Sequence, residues 1–421
     1  MNISQLILNA NFEEVTFDFK RIDEFLYGQF SAFFLKNKEF ICVRDPLGIC
    51  KLFYSQKKDE IIFSSNLYEF IEKDIHLNNI YSITPGEKCI LKAGEDEKPN
   101  ITFIQNKKNL DYFNDHLGNK DELTIKELIK YRIEKYFVNL ETKFKDFKKV
   151  ILLSGGLDST VVAYNSSKYL SNIEFITCGV KHNLDSKYDL KSDDNDCKRA
   201  KEVAKELGVK ISEFYLREED VLNSLNNVIR LCCDWRDFNV HCASFNYEIA
   251  QYISRNFPQN TIVLTGDLMN EYFADYTEVI YENQIYYPQL KIKRSSRRRF
   301  FKRGLDTSNR EIAIFENFNI KCFQPYSSLY DCYEKIGIEN FEDKDFKYKF
   351  NQFLLPTRLK NLVGKAKTRA QNGDNHGGLL GVFHRNGINA ETLKNLFCNI
   401  YKISIPDLNK FIIGGRYRDQ K

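Results

Sequence analysis

The chain has 421 residues, is 43% hydrophobic and 29% charged, and carries a formal net charge of +4. That length allows two or three domains with ample core, and the composition is that of a soluble globular protein. So even a charge balance excludes a global pull towards nucleic acid or membrane, and no stretch approaches the roughly twenty apolar residues that span a bilayer.

The first residues, Met1 to Leu8, have no basic head and too short an apolar run for a signal peptide. The 11 cysteines are scattered, and no two have Cys-x-x-Cys spacing. Cys232 and Cys233 are adjacent, which suits neither a zinc knuckle nor a mutual disulfide. They read as reduced core thiols of a cytoplasmic protein. Phe30–Leu35, Phe40–Val43, Lys51–Tyr54 and Ile61–Ser64 are short apolar runs separated by turn residues, so residues 12 to about 105 read as a β-rich unit of hairpins. Asn66–Glu72 reads as a short helix and Thr84-Pro-Gly86 as a turn. Residues 106–119 are a polar connector. From Asp121 to about Leu140 apolar residues recur at three- and four-residue steps, which predicts a helix.

Val150–Leu153 then reads as a buried strand, Ser154-Gly155-Gly156 as a tight turn, and Leu157 onward as a helix with Asp158 and Ser159 in its first turn. Strand, small-residue turn and helix N-terminus aim several backbone N–H groups at one point, which is an anion site. An Asp beside a phosphate implies a divalent cation between the two. Ile173–Val180 and Ile211–Leu216 are further strands, with helices expected near 194–207, 218–232 and 241–255. Thr261–Asp267 closes the series. Strands alternating with helices predict a parallel sheet with ligands at the strand C-termini.

The loop lacks the Lys of the common phosphate loop. Ser-Gly-Gly-Leu-Asp-Ser instead resembles the pyrophosphate loop of the N-type ATP pyrophosphatases, which split ATP between the α and β phosphates. Thr265-Gly-Asp-Leu-Met-Asn-Glu-Tyr-Phe-Ala-Asp-Tyr276 resembles the Gly-Glu-Gly-x-Asp-Glu-Leu-Phe-x-Gly-Tyr element of asparagine synthetases. Gly266, Glu271, Phe273 and Tyr276 match, Asp267 stands at a proposed acid/base Glu, and Asn270 stands at a Mg²⁺-binding Asp. Around Phe40–Ile71 the chain is similar to class II glutamine amidotransferase domains, on Arg44, Asp45, Gly48, Leu52, Phe53, Tyr54, Phe63 and Ser64. Those domains use an N-terminal Cys whose own amine is the base. Residue 2 here is Asn2 and the first cysteine is Cys42, so no glutaminase activity is expected. The N-terminal unit is expected to be a truncated remnant that packs against, or dimerises beside, the catalytic domain.

The resemblance implies an α/β fold: a parallel-sheet ATP pyrophosphatase domain, adenine nucleotide α-hydrolase-like, over 120–421, and a small antiparallel β domain over 1–105. It implies ATP and Mg²⁺ as cofactors. ATP and its pyrophosphate would lie on Leu153, Ser154, Gly155, Gly156, Asp158, Ser159, Gly179 and Gly266, with Asp158 and Asn270 on the metal. Leu355-Pro356, then a Lys six residues ahead of Gly373, matches the family's catalytic Lys and nominates Lys367, with Lys365 competing. Asp267 would manage the amine proton. Glu311, in a stretch similar to the family's Asp-Arg segment, is a candidate for the same work or a helix-surface residue. The implied chemistry is adenylation of a small carboxylic acid, then amide formation with ammonia or a substrate amine, in specialised metabolism. Ring closure, as in β-lactam synthetases and lasso-peptide cyclases, is less favoured, because β-lactam synthetases carry Tyr at the position of Asp267. An RNA-modifying enzyme of the same fold, or an impaired scaffold, completes the alternatives. Lys291–Arg303 holds eight basic residues and reads as a solvated loop or as an electropositive rim. Asn372–His384 reads as a glycine-rich flap, with His376 a loop histidine.

Overall fold

The structure is a computed structural model describing residues 29–36, 39–45, 47–57, 60–85, 88–93, 99–104, 122–181, 195–273, 279–286, 310–329, 332–333, 344–363 and 378–408. Lys365, Lys367, Gly373, His376 and the basic segment 291–303 lie outside these residues.

The N-terminal strands are β1 (Ser31–Lys36), β2 (Glu39–Arg44), β3 (Phe53–Lys57), β4 (Glu60–Ser64), β5 (Tyr81–Ser82), β6 (Lys88–Ala93) and β7 (Pro99–Ile104). They form two antiparallel sheets, ordered β1-β2-β6-β7 and β4-β3-β5. A short helix, α1 (Tyr68–Glu72), follows β4. The third strand starts at Phe53, two residues after the Lys51 expected from sequence. The reason lies in the preceding loop. Cys50 donates its N–H to Asp45 Oδ2 at 2.8 Å and its carbonyl accepts from Arg44 Nε at 2.8 Å, so side chains hold this backbone before any strand partner can. The Arg-Asp-x-x-Gly pattern thus has a structural meaning here. Arg44 also donates to Gly48 O, Ser82 Oγ and Ile83 O, and Gly48 takes φ +65°.

After α2 (Glu122–Lys143), five parallel strands form the central sheet: β8 (Lys148–Leu152), β9 (Ile173–Lys181), β10 (Ile211–Arg217), β11 (Thr261–Leu264) and, after the hairpin β12 (Val279–Tyr281) and β13 (Gln284–Tyr286), β14 (Lys321–Phe323). Their order is β10-β9-β8-β11-β14, parallel throughout. The expected α/β class is what the structure shows. Crossovers run through α3 (Leu157–Tyr169), α4 (Asn195–Leu207), α5 (Glu218–Cys232) and α6 (Asp237–Asn256). Then come α7 (Met269–Phe273), α8 (Ile312–Glu316), α9 (Lys344–Asn351), α10 (Thr357–Leu362), α11 (Gly378–Arg385) and α12 (Ala390–Ile400).

Two features decide how the site is placed. Chain order reverses between β8 and β11: β9 and β10 lie to one side of β8, and β11 and β14 to the other. That switch leaves a crevice at the C-terminal ends of the two central strands. The N-terminal unit also packs against the parallel sheet. Leu47, Ile49, Phe53 and Phe70 share one buried cluster with Val150, Ile151 and Ile262 of the parallel sheet.

Candidate functional site

Strand β8 delivers the chain into Ser154-Gly155-Gly156 and then into the 13-residue helix α3. The turn is closed by its own polar atoms. Ser159 Oγ accepts from the Ser154 N–H at 3.2 Å, donates to Gly156 O at 3.2 Å, and lies 3.1 Å from Ser154 Oγ. Gly155 is in the left-handed region at φ +71°, and a Cβ there would lie 2.6 Å from Arg199 Cβ and 2.8 Å from Ala200 N. Only glycine meets both conditions.

The neighbouring strand β11 ends at Leu264 and leads into Thr265-Gly266-Asp267. Gly266 is pressed against the start of α3, where a Cβ would meet Ser159 N at 2.9 Å and Asp158 C at 3.0 Å. The missing side chain is what lets the second motif lie directly on the first. A short helix, α7, then carries Asn270 and Glu271. A hydrogen bond from Tyr326 Oη to Asp158 O at 2.7 Å, with Tyr272 Oη donating to Tyr326 O at 2.6 Å, ties the start of α3 to α7 and the segment after β14.

A cavity of about 230 Å³ opens at this junction. Leu153, Ser154, Gly156, Asp158, Ser159, Gly266, Asp267, Asn270 and Glu311, all named from the sequence, line it. Gly155 is not on the wall; it lies against Arg199 and Ala200 of α4. Gly179 is not on the wall. It sits further along β9, paired with Tyr215, while Ile176, Thr177 and Cys178 of that strand face the cavity. Glu311 is no helix-surface residue: it is 2% exposed, at the N-terminal edge of α8.

Sequence reasoning missed Arg310 and Lys347. Arg310 is buried beside Glu311 Oε1, 3.4 Å from Glu271 Oε1 and 3.1 Å from Asn239 Oδ1, with its guanidinium 4.8 Å over the Phe238 ring. Asn246 Nδ2 donates to its carbonyl at 2.7 Å. One guanidinium therefore serves two buried carboxylates, with Asp267 adding a third negative charge nearby. Burial pushes the Glu311 carboxyl well above the usual carboxylate range; Arg310 opposes this and Asp267 adds to it. Burial raises Glu271 likewise, with Arg310 again opposing. Lys347, from α9, bonds Asp158 Oδ2 at 2.7 Å and also Asn270 Oδ1. No motif flagged it, because it arrives from 189 residues further along the chain.

The oxygen donors suit a hard divalent cation. Asp158 Oδ1 is buried and has no hydrogen-bond partner among the described residues, and the Asn270 amide oxygen is close by through the shared Lys347. These are few ligands: no group of three or more His, Cys, Asp or Glu able to hold a metal is found among the described residues. Mg²⁺, which keeps several waters and leans on substrate phosphates, fits such a sparse set.

Residues 142–321 match the family model described as asparagine synthase. No curated protein matches the chain. Among solved structures it is similar to an NH3-dependent NAD synthetase from Campylobacter jejuni, at 14% identity over 58% of this chain and 92% of that one, with a TM-score of 0.25. It is also similar to a U34-tRNA thiolase from Methanococcus maripaludis, at 12% identity over 57% and 77%, TM-score 0.28. An NMN synthetase from Francisella tularensis is similar at 13% identity over 59% and 99%, TM-score 0.25.

Proposed function

From the match of residues 142–321 to the asparagine synthase family model, we propose that the chain is an ATP-dependent, AMP-forming ligase that joins a small carboxylic acid to ammonia or a substrate amine. One observation carries this reading: the Ser154–Ser159 turn and the Gly266–Asn270 element, from adjacent strands, meet in one cavity that also receives the Arg310–Glu311 pair.

The turn's backbone N–H groups and the start of α3 take the β and γ phosphates as the leaving group. Asp158 and Asn270 would hold Mg²⁺, which supplies charge neutralisation to those phosphates. In the first step a substrate carboxylate oxygen bonds to the α-phosphorus and the bond to the β-phosphate bridge breaks, releasing pyrophosphate. In the second, the amine nitrogen bonds to the acyl carbon and the carbon–oxygen bond to AMP breaks. The amine arrives as a cation and gives up two protons, one before it attacks and one as the carbon–oxygen bond to AMP breaks. Asp267 and Glu311, both on the cavity wall, are the acceptors for them. The raised affinity of Glu311 for a proton suits that task. Lys367 stabilises charge on the acyl centre in the same scheme.

Glutamine is not the nitrogen donor in this reading. Cys42, the first cysteine of the sequence, is fully buried in β2, and burial, with Cys89 beside it, pushes its thiol well above the usual range. It is no nucleophile.

The test is ATP–pyrophosphate exchange over a panel of carboxylic acids, followed by AMP release with ammonium, a panel of amines, or glutamine. Exchange with one acid, lost in Asp158→Ala, and AMP release with ammonium or an amine but not with glutamine, is the expected result. A folded protein giving neither exchange nor AMP with any acid and amine overturns the reading.

A further inference from the structure

The ammonium of Lys347 occupies the position between Asp158 and Asn270 where the reading above sets a metal ion. It is held there by construction. Phe350 of α9 is 3% exposed and packs among Tyr333, Phe273 and Phe346, at ring separations of 6.3, 6.4 and 5.8 Å. Phe273 belongs to α7, the helix that carries Asn270, so one aromatic cluster positions both the amide and the ammonium. Asn351 adds a clamp at the end of α9, accepting from Tyr333 Oη at 2.8 Å and donating to Lys347 O at 2.8 Å. Lys347 is 7% exposed and Asp158 8%.

The charges match. Asp158 contributes one negative charge and Asn270 none, and the ammonium brings one positive charge, so the trio is neutral without a metal. An aspartate at 270 would leave it one negative charge in surplus. A divalent ion approaching the trio meets a fixed positive charge within a few ångströms, and at the effective dielectric near a protein surface that repulsion weakens its binding. Nucleotide phosphates reverse that balance, because they bring more negative charge than the metal neutralises. One oxygen also remains for the metal: Lys347 bonds Asp158 Oδ2, while Asp158 Oδ1 is the buried atom with no partner among the described residues.

We propose that Lys347 is a built-in counter-ion that keeps the divalent-metal position from filling on the free protein, so that the metal enters only together with the nucleotide phosphates. This rests on the nucleotide reading above. Lys347 is a positioning residue in this role, acting through Asp158 and Asn270, neither of which it replaces.

Mn²⁺ binding to the full chain, followed by electron paramagnetic resonance without nucleotide, tests the idea in wild type, Lys347→Gln and Lys347→Arg. Gln keeps a donor for Asp158 and removes the charge; Arg keeps the charge. Wild type and the Arg variant are expected to bind Mn²⁺ weakly at the site, and the Gln variant at least tenfold more tightly. Asn270→Asp, which adds charge instead of removing it, is expected to tighten binding in the same direction with Lys347 intact. Adding ATP should bring wild-type Mn²⁺ affinity up to that of the Gln variant. Equal affinities of wild type and Lys347→Gln without nucleotide overturn the inference, as does tight binding by the Arg variant alone. A wild-type thermal shift with Mg-ATP separates the two claims. A shift with equal Mn²⁺ affinities leaves the nucleotide reading standing and this one refuted; no shift at any ATP concentration refutes the nucleotide reading itself.

Discussion

Gly266 shows how much a single absent side chain can decide. The atoms a Cβ would meet are the Ser159 nitrogen at 2.9 Å and the Asp158 carbonyl carbon at 3.0 Å. Both are backbone atoms, so neither can swing aside as a flexible side chain could. Gly266→Ala should push the start of α3 away from β11 and spoil the turn's aim. Overpacking of this kind costs about 1–3 kcal/mol, which, if it falls on the bound loop, corresponds to roughly a five- to 150-fold loss in affinity. Calorimetric titration with Mg-ATP measures it; an affinity unchanged by the substitution would show that the contact is not where binding is set. The motif residues were legible in the sequence because they are contiguous: Ser154 to Ser159 make their own hydrogen bonds within six residues, and Gly266 to Asn270 follow one strand end. Lys347 and Arg310 were not legible. Each is a common residue type whose meaning comes only from where distant elements place it.

At the scale of elements, strands and helices were readable from apolar spacing, while their ends were set by side chains that spacing ignores. Helix α6 begins at Asp237, four residues before the 241 read from sequence. Just ahead of it Asp234 accepts the N–H groups of Trp235 at 2.7 Å and Arg236 at 2.9 Å and pairs with the Arg236 guanidinium, which fixes the entry to the helix. One turn in, His241 stacks on Phe383 of α11 at a ring separation of 4.6 Å. Burial lowers the His241 pKa to about 3. An unfolded histidine titrates near 6.5. Between those two values the unfolded chain binds a proton that the folded one refuses, so this residue makes stability fall as pH drops below about 6.5. The slope approaches about 1.4 kcal/mol per pH unit. His241→Phe keeps a ring for the stack and removes the titration. Denaturant unfolding of both proteins from pH 7.5 to 5 should show wild type losing about 1–2 kcal/mol more than the variant across that range; parallel curves would mean the ring is protonated in the folded state.

For the molecule as a whole, the order of strands was the part local sequence could not supply. Each strand is an apolar run of similar length, and which runs pair depends on packing between segments far apart in the chain. The same holds for how the N-terminal unit sits. Sequence divided the chain near residue 105, but Leu47, Ile49, Phe53 and Phe70 are buried in one cluster with the strands that carry the nucleotide loop. Gln29 also bonds the backbone of Cys322 and Gln324 on either side of Phe323 in β14, at 2.7 and 2.8 Å. Arg44 is the brace of this arrangement. Its four hydrogen bonds join the end of β2 to the loop carrying Leu47 and Ile49 and to the segment after β5, and its charge faces the fully buried Asp45. Arg44→Met strips the donor from the buried carbonyls of Gly48, Cys50 and Ile83, and leaving a buried acceptor unsatisfied costs about 1–3 kcal/mol. If the two units were independent, only the N-terminal sheets would melt early and Mg-ATP binding would survive. Because they share a core, the loss should appear as one lowered transition, with near-ultraviolet circular dichroism, tyrosine fluorescence and the Mg-ATP-induced thermal shift all moving together. A variant that melts in two steps, with nucleotide binding retained after the first, would show the N-terminal unit to be a separate domain.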